Sequence, residues 1–183
     1  MGFFYKYIIQ PLIAKSIGKK AFTNNPYLGL VIDAPESDVI ADELFRVGMA
    51  YYEGAYMLPK DMDKALSYFK KAAERGHAVA QTFMVMGSMK HNDDHSDDVM
   101  YWLNKAAEQG ERQALYNLGI SYHRGDINGE INIAKSNELF RQSAEAGYSA
   151  AYSRMALIYF NGEGVEKNLK IAKYWAWLDF ANL

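Results

Sequence analysis

The stretch of this sequence that most resembles a metal site is HNDDHSDD, residues 91–98. His91 and His95 are four residues apart, so on a helix both imidazoles would point to one side, with aspartate oxygens nearby. This pattern predicts, as an alternative, a metal-dependent hydrolase using His91 and His95. No glutamate stands where a metalloprotease helix needs its general base, and Ser96 followed by two aspartates is typical of a helix N-cap. We therefore favour a solvated loop, with no metal and no cofactor.

Other patterns of catalytic residues are missing from the sequence. It contains no cysteine, which excludes thiolate nucleophiles and thiolate zinc sites. The glycines of NGEGV, residues 161–165, belong neither to a P-loop nor to a dinucleotide fingerprint, and there is no G-x-S-x-G elbow. His77 and His123 lack a serine or acidic partner at a suggestive spacing. The sequence predicts a protein that is not an enzyme.

Composition narrows the class of partner. The chain has 183 residues, of which 50% are hydrophobic and 23% charged, as expected for a soluble globular domain. Its net charge of -2 provides no basic surface for nucleic acid. Aromatic residues make up 14% of the chain, a composition that favours contact with another protein. The stretch after Pro35 holds a single proline, which favours helices.

An internal repeat dominates the rest of the sequence. The string KAAERGHAVAQ at residues 71–81 returns as KAAEQGERQAL at residues 105–115 and as QSAEAGYSAAY at residues 142–152. The glycine in each string is expected to end a helix with positive φ. The alanine four residues later is expected at a close helix crossing. Polar residues suited to helix N-caps also recur, as Asp61, Asn132 and Asn168. Together these features predict helices joined in pairs by short turns.

These strings resemble the Sel-one-like repeat, a relative of the tetratricopeptide repeat. The resemblance is clearest in AYSRMALIYFNGEGVEKNLKIAKYWAWLDFA, residues 151–181. It implies an all-α fold, a right-handed α-solenoid of about four helix-turn-helix repeats in a domain spanning residues 37–183. The repeats are expected at about residues 41–76, 77–110, 111–147 and 148–183.

Residues 1–36 are expected to form an N-terminal helical cap, because terminal repeats need their apolar side covered. This segment is apolar and basic, so contact with a membrane surface or export to the periplasm is the alternative. The favoured location is cytoplasmic.

The resemblance implies a protein-protein interaction module that binds a protein or peptide as an adaptor or scaffold. A small bacterial form could neutralise a toxin, as an immunity protein does, or assist secretion. In tetratricopeptide-like stacks the first helix of each pair lines a concave surface. The partner-binding residues predicted on that surface are Asp42, Phe45, Met49, Tyr52, Thr82, Met86, Met89, Gln113, Tyr116, His123, Arg124, Ser153 and Phe160. The alternative interface is the aromatic end at Trp175, Trp177 and Phe180, which could also form a homodimer.

Overall fold

The computed structural model describes residues 40–55, 58–90, 96–127 and 129–181, without the side chains of residues 86–90 and 96–98. These residues form eight α-helices of thirteen residues each and contain no strand. The helices are α1 (Ala41–Glu53), α2 (Met62–Glu74), α3 (Ala78–Lys90), α4 (Ser96–Glu108), α5 (Arg112–Arg124), α6 (Ile133–Glu145), α7 (Ser149–Asn161) and α8 (Leu169–Ala181). The all-α prediction is confirmed.

The second helix of three pairs begins at the predicted N-cap. The Asp61 carboxylate accepts a hydrogen bond from the backbone N–H of Lys64 at 3.0 Å. The Asn132 side chain accepts from the N–H of Lys135 at 2.9 Å, and Asn168 caps α8 in the same way. Each cap satisfies an N–H that has no partner within the helix, so these short polar residues determine where the helix starts.

The predicted glycines separate the four helix pairs. Gly76, Gly110 and Gly147 have φ of 89°, 76° and 83°, a left-handed conformation that side chains with a Cβ disfavour. The alanines four residues later, Ala80, Ala114 and Ala151, are completely buried. Both predictions from the repeated strings are therefore confirmed, and each reflects a local geometric need.

The described residues fall into two compact units, one ending at Gly87 and the other beginning at Ser88, which we call the N-terminal and C-terminal units. In the N-terminal unit α1 packs against α2, and the N–H of Asp61 donates to the carbonyl of Tyr51 at 2.9 Å to close the hairpin. Phe69 is fully buried, and a Cβ added to Gly48 would lie 2.6 Å from its ring. The two helices approach closely because position 48 has no side chain.

The C-terminal unit repeats this hairpin twice, as α5 with α6 and as α7 with α8. The N–H of Asn132 donates to the Tyr122 carbonyl and that of Asn168 to the Tyr159 carbonyl, both at 2.9 Å. Helix α7 also packs against α6. The buried cluster in this unit consists of Phe140, Ala144, Ala151, Tyr152, Met155 and Ile158. One continuous core therefore joins α6 to the hairpin that follows it.

Several predictions concern features that the described residues do not include. The cap predicted for residues 1–36 lies outside the described residues, so it stays a prediction. His91 and His95 also lie outside them, and the hydrolase alternative stays a prediction too. The same holds for the right-handed winding of the helices. Among the helices that are described, none has the length and apolar character needed to cross a membrane.

Candidate protein-binding surface

A groove of about 660 Å³ lies between α7 and α8 in the C-terminal unit. Most of its lining is apolar: Ala156, Leu157, Phe160, Leu169, Ala172 and Ala176. Ser153, Lys173 and Asp179 supply its polar groups, and the Ser153 hydroxyl donates a hydrogen bond to the Asp179 carboxylate. The groove offers an apolar surface between two helices and no constellation of catalytic groups.

Helical spacing explains why these side chains meet. On α7 the lining residues lie three, four and seven positions apart, which places them on one face, and α8 repeats this spacing. Large apolar side chains on this surface remain half exposed: Leu157 at 49%, Phe160 at 53% and Leu169 at 51%. Nothing in the described chain covers them.

A polar cluster holds the loop between α7 and α8. The Arg154 guanidinium donates to the Glu163 carboxylate at 2.7 Å and lies 3.4 Å from the His123 ring. A hydrogen bond from the Asn161 amide, with the nearby Arg154 charge, lowers the pKa of Glu163. The side-chain amide of Asn137 donates to the Glu163 carbonyl at 2.6 Å. These bonds connect the loop to α6 and keep the mouth of the hairpin in place.

The predicted surface residues of the C-terminal unit divide into two groups. Ser153 and Phe160 line the groove, and Arg124 is exposed. Gln113, Tyr116 and His123 are half-buried. Tyr116 packs against the rings of Phe140 and Tyr148, each with centroids 5.2 Å apart, so much of it serves the core.

Two predicted residues of the N-terminal unit, Asp42 and Phe45, lie around His77. Phe45 stacks on the His77 ring at 4.3 Å, and the Asp42 carboxylate lies 3.6 Å from its Nε2. The Nδ1 of His77 accepts the backbone N–H of Ala80 at 3.1 Å, which caps α3. Burial lowers the pKa of His77, and the charge of Asp42 opposes that shift. His77 therefore has a structural role as a neutral acceptor.

The remaining predicted residues of this unit differ in exposure. Met49 and Tyr52 are half-buried, and the Tyr52 ring meets Phe83 edge-on at 5.9 Å. Thr82 is only 4% exposed, and its hydroxyl donates to the Ala78 carbonyl at 3.3 Å, so it offers no contact surface. The side chains of Met86 and Met89 lie outside the described part of the chain.

The three aromatics of the alternative interface do not act together. Trp175 stacks on Tyr152 with centroids 6.1 Å apart and packs against the buried cluster. Trp177 and Phe180 are 60% and 76% exposed. Only these two can contact a partner without disturbing the core.

The sequence model of the Sel1 repeat matches residues 44–77, 100–111, 112–148 and 149–176, which together make up more than half of the chain. The chain belongs to the Sel1 repeat family. Sel1 repeats are protein-interaction modules, so the apolar groove lies in a fold that is used for binding proteins.

Solved structures show the same fold. One is the structure of c5321, a protective antigen present in uropathogenic Escherichia coli strains, which displays an SLR fold. Its sequence is 29% identical to this chain, and the two structures align with a TM-score of 0.71 over 84% of this chain and 33% of c5321. A Sel1 repeat protein from Oxalobacter formigenes is 24% identical, with a TM-score of 0.74 over 95% of this chain and 68% of that one.

Curated relatives are longer proteins. DAP3-binding cell death enhancer 1 of Rattus norvegicus is 29% identical over 105 residues, which is 56% of this chain and 20% of that protein. F-box protein At1g70590 of Arabidopsis thaliana is 29% identical over 80 residues, 44% of this chain and 21% of that protein. The chain spans about a fifth of the length of these relatives, so the similarity concerns the Sel1 repeats.

Within the Sel1 repeats, sequence reasoning missed the second-helix side of the groove. Leu169, Ala172 and Ala176 are on α8, whereas the prediction considered first helices and exposed aromatics. A signal for Ala176 exists in the sequence, because the position eight residues after the N-cap is phenylalanine in two repeats and alanine in the last. No group of three or more potential metal ligands comes together among the described residues.

Proposed function

We propose that this chain is a non-enzymatic protein-protein interaction module, an adaptor or scaffold, that binds its partner through the groove between α7 and α8. One observation carries the proposal: Leu157, Phe160 and Leu169 form an exposed apolar surface along a groove of about 660 Å³. Soluble proteins seldom leave such contiguous apolar patches uncovered unless they bind something.

The family supports this function. Sel1 repeats bind proteins, and one relative is named as a binder of DAP3. The binding proposal includes both narrower roles predicted from the sequence, toxin neutralisation and assistance in secretion, because each requires a surface for one protein partner. A scaffold role also agrees with the chemistry of the groove, where a lysine, an aspartate and a serine are the polar lining residues.

The groove is a better candidate than the first-helix surface around Tyr116. A binding surface gains from apolar side chains that lose water only when the partner arrives. Tyr116 already packs against Phe140 and Tyr148, so a partner would remove little further water from it. Phe160 belongs to both candidate surfaces and retains 53% of its exposure.

Affinity capture with quantitative mass spectrometry tests this proposal. The bait is the full chain, compared with a Leu157→Asp/Phe160→Asp double variant and with Ile131→Asp. Ile131 is 65% exposed in the loop between α5 and α6 and does not line the groove, which makes it a matched control. We expect a defined protein to be retained by the original chain and by the control, and to be lost with the double variant.

Circular dichroism of all three proteins should show equal helix content, because none of these side chains is buried. If the double variant retains every partner that the original chain retains, the groove is not the binding surface.

A further inference from the structure

The last repeat differs from the first and third repeats at one position of its second helix. Eight residues after the N-cap, α2 carries Phe69 and α6 carries Phe140, which are 0% and 1% exposed. The same position on α8 is Ala176, which is exposed and lines the groove. A buried ring that two repeats supply from within is therefore missing from the last one.

The residue opposite this position changes as well. A Cβ on Gly48 would lie 2.6 Å from the Phe69 ring, and one on Gly119 would lie 2.9 Å from the Phe140 ring. Each glycine stands three residues before the tyrosine whose carbonyl closes the hairpin, and the last repeat has Ala156 there. A glycine-phenylalanine pair is thus replaced by two alanines, and both line the groove.

The equivalent groove one repeat earlier shows what can occupy such a space. There α7 packs on α6, and its residues Ala151, Tyr152 and Met155 join Phe140 in one buried cluster. Ile120 of α5 packs against that cluster, whereas its equivalent on α7, Leu157, is 49% exposed. The face of α7 and α8 is therefore the equivalent of the face of α5 and α6 that α7 covers, and no described helix packs on it.

We propose that the groove binds an amphipathic helix of a partner protein, which lies where a following repeat would place its first helix and inserts a large apolar side chain, aromatic by preference, between Ala156 and Ala176. This inference rests on the proposed function and specifies the partner. Helix α8 is about 20 Å long, enough for three or four turns of a docked helix with anchors three and four residues apart.

Charge adds to the description of the partner helix. Lys173 is exposed and lines the groove, whereas Asp179 accepts a hydrogen bond from Ser153. An acidic residue on the docked helix would therefore meet Lys173, and this pair would favour one direction of the helix along the groove. The apolar contacts supply most of the affinity, because the lysine remains in water.

The probe for this proposal is a stapled, fluorescein-labelled peptide with the sequence of residues 148–162 and the change Met155→Phe, because α7 covers the equivalent groove and Met155 lies in the same buried cluster as Phe140. The staple lies on the face away from Met155 and Ile158, which are buried where α7 packs on α6. Fluorescence anisotropy with the full chain should show saturable binding. A second peptide with Met155→Asp and Ile158→Asp should bind at least about tenfold more weakly, because both anchors become charged.

The decisive variant is Ala156→Gly/Ala176→Phe, which restores the pair present in two other repeats. The added ring occupies the space that the aromatic anchor of the first peptide needs, so we expect that peptide to bind about tenfold more weakly or not at all. A third peptide with the unchanged 148–162 sequence should bind this variant at least as well as it binds the original chain, because Met155 shares a buried cluster with Phe140 in the equivalent groove. The matched control is Ala134→Phe, which adds the same ring at an exposed position of α6 outside the groove and should leave binding unchanged. The double variant should melt no lower than the original chain; if it does, Ala176→Leu provides a smaller filling side chain for the same comparison.

Equal affinity of the chain for the first and second peptides would overturn the inference. Equal affinity of the double variant and the original chain for the first peptide would overturn it as well. Analytical ultracentrifugation can overturn it in another way. If the original chain is a dimer and the double variant is a monomer, a second copy of the chain occupies the groove and a partner helix does not. The proposed function is tested separately by Leu157→Asp/Phe160→Asp. If that variant loses its partner while Ala156→Gly/Ala176→Phe retains it, the groove binds proteins but not by insertion of a side chain.

Discussion

The groove between α5 and α6 and the groove between α7 and α8 are built on one plan but differ in what covers them. In both, an asparagine N-cap and a hydrogen bond of 2.9 Å to a tyrosine carbonyl close the hairpin. The first is filled by the Phe140 ring and covered by α7, whereas the second contains alanine at the equivalent position and remains open. The difference comes from two residues and one neighbouring helix.

This comparison shows how a repeat protein can obtain a binding site without specialised chemistry. A helix pair cannot bury both of its apolar faces alone, and stacking normally covers them. On α7 and α8, where no described helix covers it, the same face is the surface that we propose for another protein. Its shape is determined by the side chains that the next repeat would otherwise contact.

The largest expected effect is on stability, and it distinguishes the buried ring of Phe140 from the exposed ring of Phe180. Phe140→Ala should lower the free energy of unfolding by about 3–5 kcal/mol, because it leaves a cavity beside Gly119 and the α7 cluster. Phe180→Ala should change it by no more than about 0.5 kcal/mol, because Phe180 is 76% exposed. Urea denaturation followed by circular dichroism measures both. Similar losses for the two variants would mean that the aromatic end belongs to the core.

A smaller loss of stability is expected from removing a hydrogen bond that is present in the groove between α5 and α6 and has no equivalent in the groove between α7 and α8. The Ser136 hydroxyl is buried and donates to the Gly119 carbonyl at 2.8 Å, whereas the equivalent position on α8 is Ala172. Ser136→Ala should therefore reduce the free energy of unfolding by about 1 kcal/mol. Ala172→Ser serves as the reciprocal control in the open groove. An unchanged urea midpoint for Ser136→Ala would show that the hydrogen bond contributes nothing there.

The smallest effect concerns pH and a residue of the N-terminal unit, His77. Burial lowers the pKa of His77 below its ordinary 6.5, so the unfolded chain binds more protons than the folded chain below that pH. The contribution of neutral His77 is complete above about pH 6.5 and is lost as the pH falls through the folded-state pKa. Melting temperatures between about pH 8 and about pH 5 should fall more for the original chain than for His77→Asn. Asparagine can still cap α3 but does not titrate.

Much of the fold could be predicted from short-range rules. The N-caps at Asp61, Asn132 and Asn168 depend on a side chain reaching a backbone N–H two or three residues away, and all three are confirmed. The left-handed glycines Gly76 and Gly147 are equally local, since their φ depends on the absence of a Cβ. The recurrence of these signals made the helical-repeat prediction secure.

The binding surface was harder to predict because exposure depends on distant neighbours. Helical spacing placed Thr82 on the first-helix face, but the fold buries it. The sequence suggests that Trp175 and Trp177 belong to one surface, but Trp175 packs against the core and Trp177 remains exposed to water. Ala176 was overlooked because an alanine on its own shows no function in a sequence. It becomes informative only beside Phe69 and Phe140.

The modest burial of α8 has a consequence for how the molecule moves. Ala172 is the one buried residue of this helix among those described, whereas α6 has six. A helix with so few buried contacts opens more often, so its amide hydrogens should exchange with deuterium before those of α6. A bound partner would slow this exchange, because it would cover the face of α8 that is exposed to water in the free protein. Deuterium uptake along α8 would therefore report occupancy of the groove without any label on the partner.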